Sequence, residues 1–469
     1  MSQLDILIIG GGFSGTMLGV QLLRQSRSLC IAVMDRLSLP GRGLAYSSPH
    51  KFHLLNVPAG EMSALPDVPD DFLRWASVHF DAGVKERSFP PRSVYGAYVE
   101  EILEKTLSER GRGRFRWLQD EALALGCQGQ DFTVHTKRGW EVLARTVVLA
   151  TGNFPAANPR IAGLEEPGPA YIQFPWSPDA IENLDSTDNV LLLGSGLTSV
   201  DLIMALKSKG FRGTIHVLSR KGLFPHPRRQ VRPIEPWPVF WNEKSPRTVR
   251  GLLRLIRSQV RAAAERGIDW RAVIDSLRSV TPGIWQSLPI KEKRRFLRHV
   301  RAYWDVHRHR AAPEIADLLA DMRATGQVQL HVGVLAGYFR HRHGAQIKYW
   351  DRETRSEKML EMTRVINCTG SETDCRRIDD PLITSLFAQR LARPDPLFLG
   401  LNVDEYGGVI DGAGIGSRSL FAIGPLRKGV LWETTTVPEI RQQAVEVAQY
   451  LVQGLEGRGR RCQELKTAV

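Results

Sequence analysis

The sequence predicts an α/β fold made of two Rossmann-like dinucleotide-binding domains, the second inserted in the first and carrying a helical insertion. Three observations predict it. The motif Gly10-x-Gly12-x-x-Gly15 follows a continuous apolar run, Ile6 to Ile9. A second motif, Gly194-x-Gly196-x-x-Ser199, follows "NVLLL". Each motif is answered later by a strand-like exit, "RTVVLATG" ending at Thr151-Gly152 and "TRVINCTG" ending at Thr369-Gly370. At 469 residues the chain exceeds one ordinary core, so two or three domains are expected.

In the first motif the apolar run reads as a buried parallel strand. Gly10 allows the tight turn, and Gly12 lets a pyrophosphate approach the backbone. Phe13 and Ser14 open a helix, and Gly15 lets that helix pack on the strand. "LCIAVMD" is the next strand. It ends at Asp35, 20 residues after Gly15, where an acid accepts from a ribose hydroxyl. Arg36 follows it. Strand, helix, second strand and acid together make the signal specific, where a lone glycine motif is weak.

The second motif is strand, glycine turn and helix again, with Thr198 and Ser199 opening the helix. Its ribose strand, "GTIHVLSRKG", ends in Ser219, Arg220 and Lys221 instead of an acid. An arginine there suits a 2′-phosphate, which selects NADPH over NADH. A solvent-facing loop arginine is the alternative. The expected domains are 1–165, 166–354 and 355–469, the first and last forming one dinucleotide-binding unit. "SPRTVRGLLRLIRSQVRAAAERG" and "KEKRRFLRHVRAYWDVHRHRAA" have helical spacing and place a helical insertion at about 225–313. In the C-terminal part a strand ends at Gly424. A loop with Thr434 and Thr435 follows, then a helix opened by the capping pair Thr436 and Glu439.

Composition narrows the function classes. From Arg220 to Arg310 there are 22 Lys and Arg against 7 Asp and Glu, net +15, so the rest of the +13 chain carries −2. A nucleic-acid patch, a solvated helical face and a funnel for an anionic ligand all fit that excess. No recognised nucleic-acid module accompanies it, so no nucleic-acid partner is expected. No run reaches the roughly 18 apolar residues of a membrane span. "MSQLDILIIGGG" runs almost directly into a strand without a basic leader, so no signal peptide is expected. The cysteines, at 30, 127, 368, 375 and 462, form no CxxC pair. That spacing points to a reducing cytoplasm and argues against a zinc ribbon and a dithiol reductase.

The pattern is similar to two-dinucleotide flavoproteins, in which the first motif binds FAD, the second binds NADPH, and the chain returns to close the FAD site. More narrowly, it resembles a bacterial FAD/NAD(P)-binding family that includes N-hydroxylating amino-acid monooxygenases of the aspartate N-monooxygenase type. The carrying stretches are "GRGLAYSSPHKFHLLNVPAGEMS", "FPPRSVYGAYV", "FLRHVRAYWDVHRHRAAPEIA" and "GPLRKGVLWETTTVPEIR". The resemblance covers nearly the whole chain. It is specific for architecture and much less so for substrate. It implies a cytoplasmic FAD- and NADPH-dependent monooxygenase that uses dioxygen, through a flavin C4a-hydroperoxide, to hydroxylate the nitrogen of a small amine or amino acid. Two alternatives stay open: a reductase passing electrons to a protein or quinone, and a nucleotide-sensing protein without turnover.

The resemblance places "KFHLLNVPAGEMS" beside the isoalloxazine, with Lys51, His53 and Asn56 as catalytic candidates. Plain packing of Leu54, Leu55 and Val57 is the competing account. Arg92 and Tyr95 fit phosphate binding and packing equally well. In "WDVHRHRAAP" a helical wheel puts Phe296, Leu297, Val300, Tyr303, Trp304 and His307 on one face, and Arg301, Asp305, Arg308 and His309 on the other. His307 and His309 diverge and cannot chelate one metal, so no metal is expected. Arg301, Arg308 and Arg310 are the candidate anchors for a substrate carboxylate, with Arg42, Lys51 and Arg92 as substitutes.

Overall fold

The computed structural model describes residues 3–37, 40–129, 131–229, 231, 242 and 245–456. Part of the expected insertion, and Cys462, lie outside them.

The first motif stands at the end of the central strand of a mostly parallel sheet. Leu4–Ile9, every residue of it buried, pairs in parallel with Ile31–Asp35 on one side and Glu141–Leu149 on the other. Phe115–Gln119 extends the sheet beyond Ile31–Asp35, and Gly416–Ala422 extends it beyond Glu141–Leu149. Burial on both faces explains the unbroken apolar runs. One face carries the helices Phe13–Gln25, Arg92–Thr106 and Val437–Glu456 over a shared core of Ile6, Ile8, Val33, Leu103 and Val447. The other carries the antiparallel strands Ala122–Gln128 and Asp131–Thr136 with the helix Pro381–Ala388.

The second sheet repeats the scheme. Val190–Leu193 lies between Ile215–Ser219 and Arg364–Asn367, both parallel to it. Val328–His341 and Tyr171–Ile172 extend the parallel set outward. Antiparallel Gly344–Asp351 and Ser356–Met362 complete the edge. The expected boundary at 354 is therefore too early. The second unit runs through Asn367, because Ser356–Met362 and Arg364–Asn367 are hydrogen-bonded into its sheet.

Between Ile215–Ser219 and the crossover helix Pro313–Ala324 stand the helices Val249–Glu265, Trp270–Ser276, Thr281–Ser287, Ile290–His299 and Arg301–Arg308. The insertion has a small apolar core of Ala263, Val273, Ile274 and Leu277. A second cluster, Trp285, Leu399 and Trp432, ties it to the C-terminal part of the chain. Arg250, Arg254, Arg257 and Arg261 form one exposed stripe of Val249–Glu265, so part of the basic excess is a solvated helix face. The wheel drawn through Phe296–His309 assumed one helix. Val300 breaks it in two, and this changes which side chains point inward.

Candidate active site

Both glycine motifs sit at the C-terminal ends of central strands, where the sheet order reverses and a crevice opens. In the first, Gly10 has φ +108°, and a Cβ there would meet the Ala150 carbonyl oxygen at 2.3 Å. A Cβ on Gly15 would stand 1.8 Å from the Gly10 carbonyl oxygen, so helix and strand pack at a distance only glycine allows. Gly12 differs: its imagined Cβ meets only Gly43, at 3.4 Å or more. Its openness leaves room for a ligand at the N-terminus of Phe13–Gln25, where unpaired N–H groups favour a pyrophosphate. Phe13 and Ser14 are buried beneath it.

Asp35 accepts from the Gly11 N–H at 2.5 Å and from the Leu37 N–H at 2.7 Å, which fixes its carboxylate at the strand end. Gly10, Asp35, Arg36, Thr151 and Arg377 line one cavity of about 450 Å³. The Thr151 hydroxyl is buried without a partner in its wall. Gly152, with φ +73°, carries the chain away over open space. The C-terminal return reaches the first turn of Phe13–Gln25, where Gly424 lies against Ser14. The Thr434 hydroxyl donates to the Gly424 carbonyl at 2.8 Å, and Gln443 spans both residues. Thr435 is exposed and joins no such network.

The second motif is built alike. A Cβ on Gly194, φ +113°, would meet the Cys368 carbonyl oxygen at 2.5 Å, while Gly196 has nothing within 4 Å. Where the first motif has Gly15, this one has Ser199, whose hydroxyl donates to the Gly194 carbonyl at 2.7 Å. Thr198 is half-buried on the same first turn. Ser219 holds its strand end by accepting from Ser195 at 2.8 Å. Gly194, Gly196, Arg220, Lys221, Thr369 and Gly370 line a cavity of about 1230 Å³. Arg301 lines it too, 3.5 Å from Asp305. Arg301 thus shares this cavity with Arg220, whereas Arg308 and Arg310 do not line it.

Arg308 belongs to the interior. The wheel set it on the charged outer face, yet it is 6% exposed. The break at Val300 turns the short helix so that Arg308 Nη2 lies 3.2 Å from Glu433 and 3.5 Å from Glu439. Arg310, 2% exposed, pairs with Asp275. The Nε and one terminal nitrogen of each guanidinium find no aligned acceptor, nor does Glu433 Oε1 find a donor. Around them Arg278 donates to Glu439 at 2.6 Å and to Thr436 at 2.8 Å, and Arg228 donates to the Asn56 carbonyl at 2.9 Å. Burial alone would raise the Glu439 carboxyl; the Arg278 hydrogen bond and the Arg278 and Arg308 charges outweigh it and hold the group below its ordinary value. The insertion, the loop after Asn56 and the C-terminal return therefore meet at one buried, charge-paired centre. Spacing flagged none of Arg228, Arg278 and Glu433, because these partners are far apart in the chain.

His53 is drawn elsewhere. It is 2% exposed, with Nδ1 2.6 Å from the Ser48 hydroxyl and Nε2 2.9 Å from the Asp201 carbonyl. Both ring nitrogens of His53 are thus engaged within the fold, and His53 lines neither nucleotide cavity. Lys51 is exposed and lies over the Phe52 ring, at 5.4 Å. Arg42 is committed to Glu100 and Arg92 to Asp201. Tyr95 is fully buried among Phe13, Tyr46, Phe72 and Tyr98, which is packing. His307 Nδ1 lies 2.7 Å from the Tyr303 carbonyl. Among the described residues no group of three His, Cys, Asp or Glu is placed to hold a metal ion, and no helix is long and apolar enough to cross a membrane.

Residues 7–154 match a family described as FAD-NAD(P)-binding. Curated protein sequences return no match. Among solved structures, the chain is similar to the FAD-bound cadaverine monooxygenase of Erwinia amylovora, at 14% identity and TM-score 0.67 over 100% of both chains. It is similar to the ornithine N-hydroxylase of Kutzneria sp. 744, with reduced FAD, NADP+ and L-ornithine, at 14% and 0.66, covering 96% of this chain and 99% of that one. It is similar to the L-lysine 6-monooxygenase of Pseudomonas syringae at 15% and 0.66, covering 96% and 100%. The chain thus has the α/β fold of these flavoproteins along nearly its whole length, with an FAD-NAD(P)-binding domain at residues 7–154.

Proposed function

We propose that the protein is an FAD- and NADPH-dependent monooxygenase that hydroxylates the nitrogen of a small amine or amino acid. One observation carries this reading: two dinucleotide cradles lie in one chain, beside a buried centre of arginines and carboxylates with unsatisfied hydrogen-bonding atoms. The open Gly12, the unpartnered Thr151 hydroxyl and the fixed Asp35 carboxylate fit FAD at the first cradle. The open Gly196 with Arg220, Lys221 and Arg301 fits NADPH at the second. Held at these two cradles, FAD and NADPH would supply the redox chemistry of the reaction, with dioxygen as the oxidant.

The chain's own task is to bind, orient and exclude water. Gly12 and Gly196 present helix N-termini to the two pyrophosphates. Arg220 and Arg301 supply charge for the 2′-phosphate. Arg308 Nε and Arg310 Nε and Nη1 would hold a substrate carboxylate, and Glu433 Oε1 would accept from its amine. From the first unit, the Asn56 carbonyl reaches this centre through Arg228. Burial pushes the Cys368 and Cys375 thiols up to about 12, so neither is suited to serve as the reactive thiolate of a disulfide reductase.

The test is an NADPH-dependent screen of amines and amino acids under air, scored for hydroxylamine. Hydroxylated product from any of them supports the reading. Fast NADPH oxidation with peroxide alone across carboxylate-bearing and carboxylate-free amines would turn the assignment to a reductase, and no NADPH oxidation would turn it to a nucleotide sensor.

A further inference from the structure

We propose that Arg92, His53 and Asp201 form a latch that sets the orientation of the second dinucleotide unit against the first, and so positions NADPH for reducing FAD. The inference rests on the two-cofactor reading above. Asp201 lies on Leu197–Ser208, the helix whose N-terminus forms the second cradle. Arg92 opens Arg92–Thr106 of the first unit. Its guanidinium grips both carboxylate oxygens of Asp201, at 2.8 and 3.1 Å, and its Nε donates to the Leu54 carbonyl at 3.1 Å.

His53 adds a second grip on the same residue. The Asp201 carbonyl only accepts, so His53 Nε2 carries the proton, and Nδ1 accepts from the Ser48 hydroxyl. The ring packs edge-on against Trp176, at 5.8 Å, just beyond the strand Tyr171–Ile172 of the second unit. Phe52, Leu54 and Phe89 of the first unit pack into the apolar core of the second. Rotating the second unit would break a two-pronged ion pair and a histidine hydrogen bond, and would withdraw three apolar side chains. The grip falls on the nucleotide helix itself, so holding Asp201 holds Gly196. His53 and Arg92 are positioning residues, since neither lines either nucleotide cavity.

The experiment uses the FAD-loaded full chain with spin labels at Lys105→Cys and Lys207→Cys, exposed positions on the two gripped helices, in a Cys127→Ser background. Pulsed dipolar spectroscopy of the otherwise native protein should give one narrow distance distribution. Arg92→Ala should broaden or split it. In parallel, the anaerobic rate of FAD reduction at saturating NADPH should fall at least tenfold, with FAD occupancy, NADP+ affinity and dithionite reduction unchanged. Asp201→Asn, the milder change should Arg92→Ala fail to fold, should give the same broadening with a roughly threefold loss of rate. The exchanged pair Arg92→Asp with Asp201→Arg should recover both readouts. A narrow distribution in the folded variants, or an unchanged reduction rate despite broadening, would overturn the proposal. Native protein that NADPH does not reduce would sink the cofactor reading instead, and the distance measurement would still decide whether the latch exists.

Discussion

Gly424 and Ser14 are 410 positions apart in the chain and in contact in the fold: a Cβ on Gly424 would stand 2.7 Å from the Ser14 hydroxyl oxygen. Gly424 also has φ +75°, where L residues are strained by about 1–2 kcal/mol. The C-terminal return thus closes directly on the first residues of the FAD-side helix. Gly424→Ala should lower FAD occupancy and thermal stability together. Gly168→Ala, also at positive φ but with only the Arg340 side chain near its imagined Cβ, should lower thermal stability alone. Full flavin content in Gly424→Ala would remove the closing role.

The glycines of the first motif should separate folding from binding. Gly15→Ala forces a methyl group into the Gly10 carbonyl and should yield little folded protein. Gly12→Ala meets no obstruction in the fold. It should melt within a few degrees of the native apoprotein and still bind FAD at least tenfold more weakly, as read by flavin release on dilution. Equal loss of folding in both variants would count against a pyrophosphate at Gly12.

Cofactor choice should depend on Arg220 and Arg301 together. A charge-assisted contact is worth roughly 1.5–3 kcal/mol, so Arg220→Ala should weaken NADPH about ten- to a hundredfold and leave NADH almost unchanged. Arg301→Ala should act the same way, with a smaller effect because it is shared with Asp305 and partly exposed. Titration with both cofactors checks this; equal losses for NADPH and NADH would make either arginine structural.

Arg308→Lys should uncouple the enzyme. The charge survives but the fork does not, so hydroxylated product should fall while NADPH oxidation continues and peroxide rises. Arg308→Ala should be far worse, because it leaves Glu433 buried without its partner, a change that costs about 3–5 kcal/mol. Arg301→Lys should keep normal coupling. Product and peroxide yields per NADPH distinguish the three.

Acid should weaken the second unit through His216. Burial pushes this imidazole down to about 4, with the nearby His331 adding to the effect. The unfolded chain, near 6.5, binds the proton first, so stability is complete above about 6.5 and is lost as the pH falls toward 4. Denaturant titrations of His216→Gln should show a flatter profile across that window. A profile as steep as the native one would place the acid-sensitive group elsewhere.

How much of this was present in the linear pattern depends on whether the signal is local. The two glycine motifs, their strands and Asp35 each lie within a few dozen residues, and their spacing follows from backbone sterics at one turn. Those features are expressed wherever the sequence occurs, so the two-unit architecture could be read directly. The helical insertion was also readable, because amphipathic spacing is local.

The roles of individual charged side chains were decided only by packing. The break at Val300 rotates Arg308 from the expected outer face into contact with Glu433, and no wheel drawn through an unbroken helix contains that turn. His53 was legible only as a polar residue in an apolar stretch; that its Nε2 meets the carbonyl of Asp201, 148 positions away, was decided by the packing of distant elements. Arg301 and Arg308, seven residues apart on one stripe, end in different sites because one faces the second cradle and the other the buried centre. Charge and hydrogen bonding act through space at about 3 Å, so which partner a side chain meets is set when distant elements pack together.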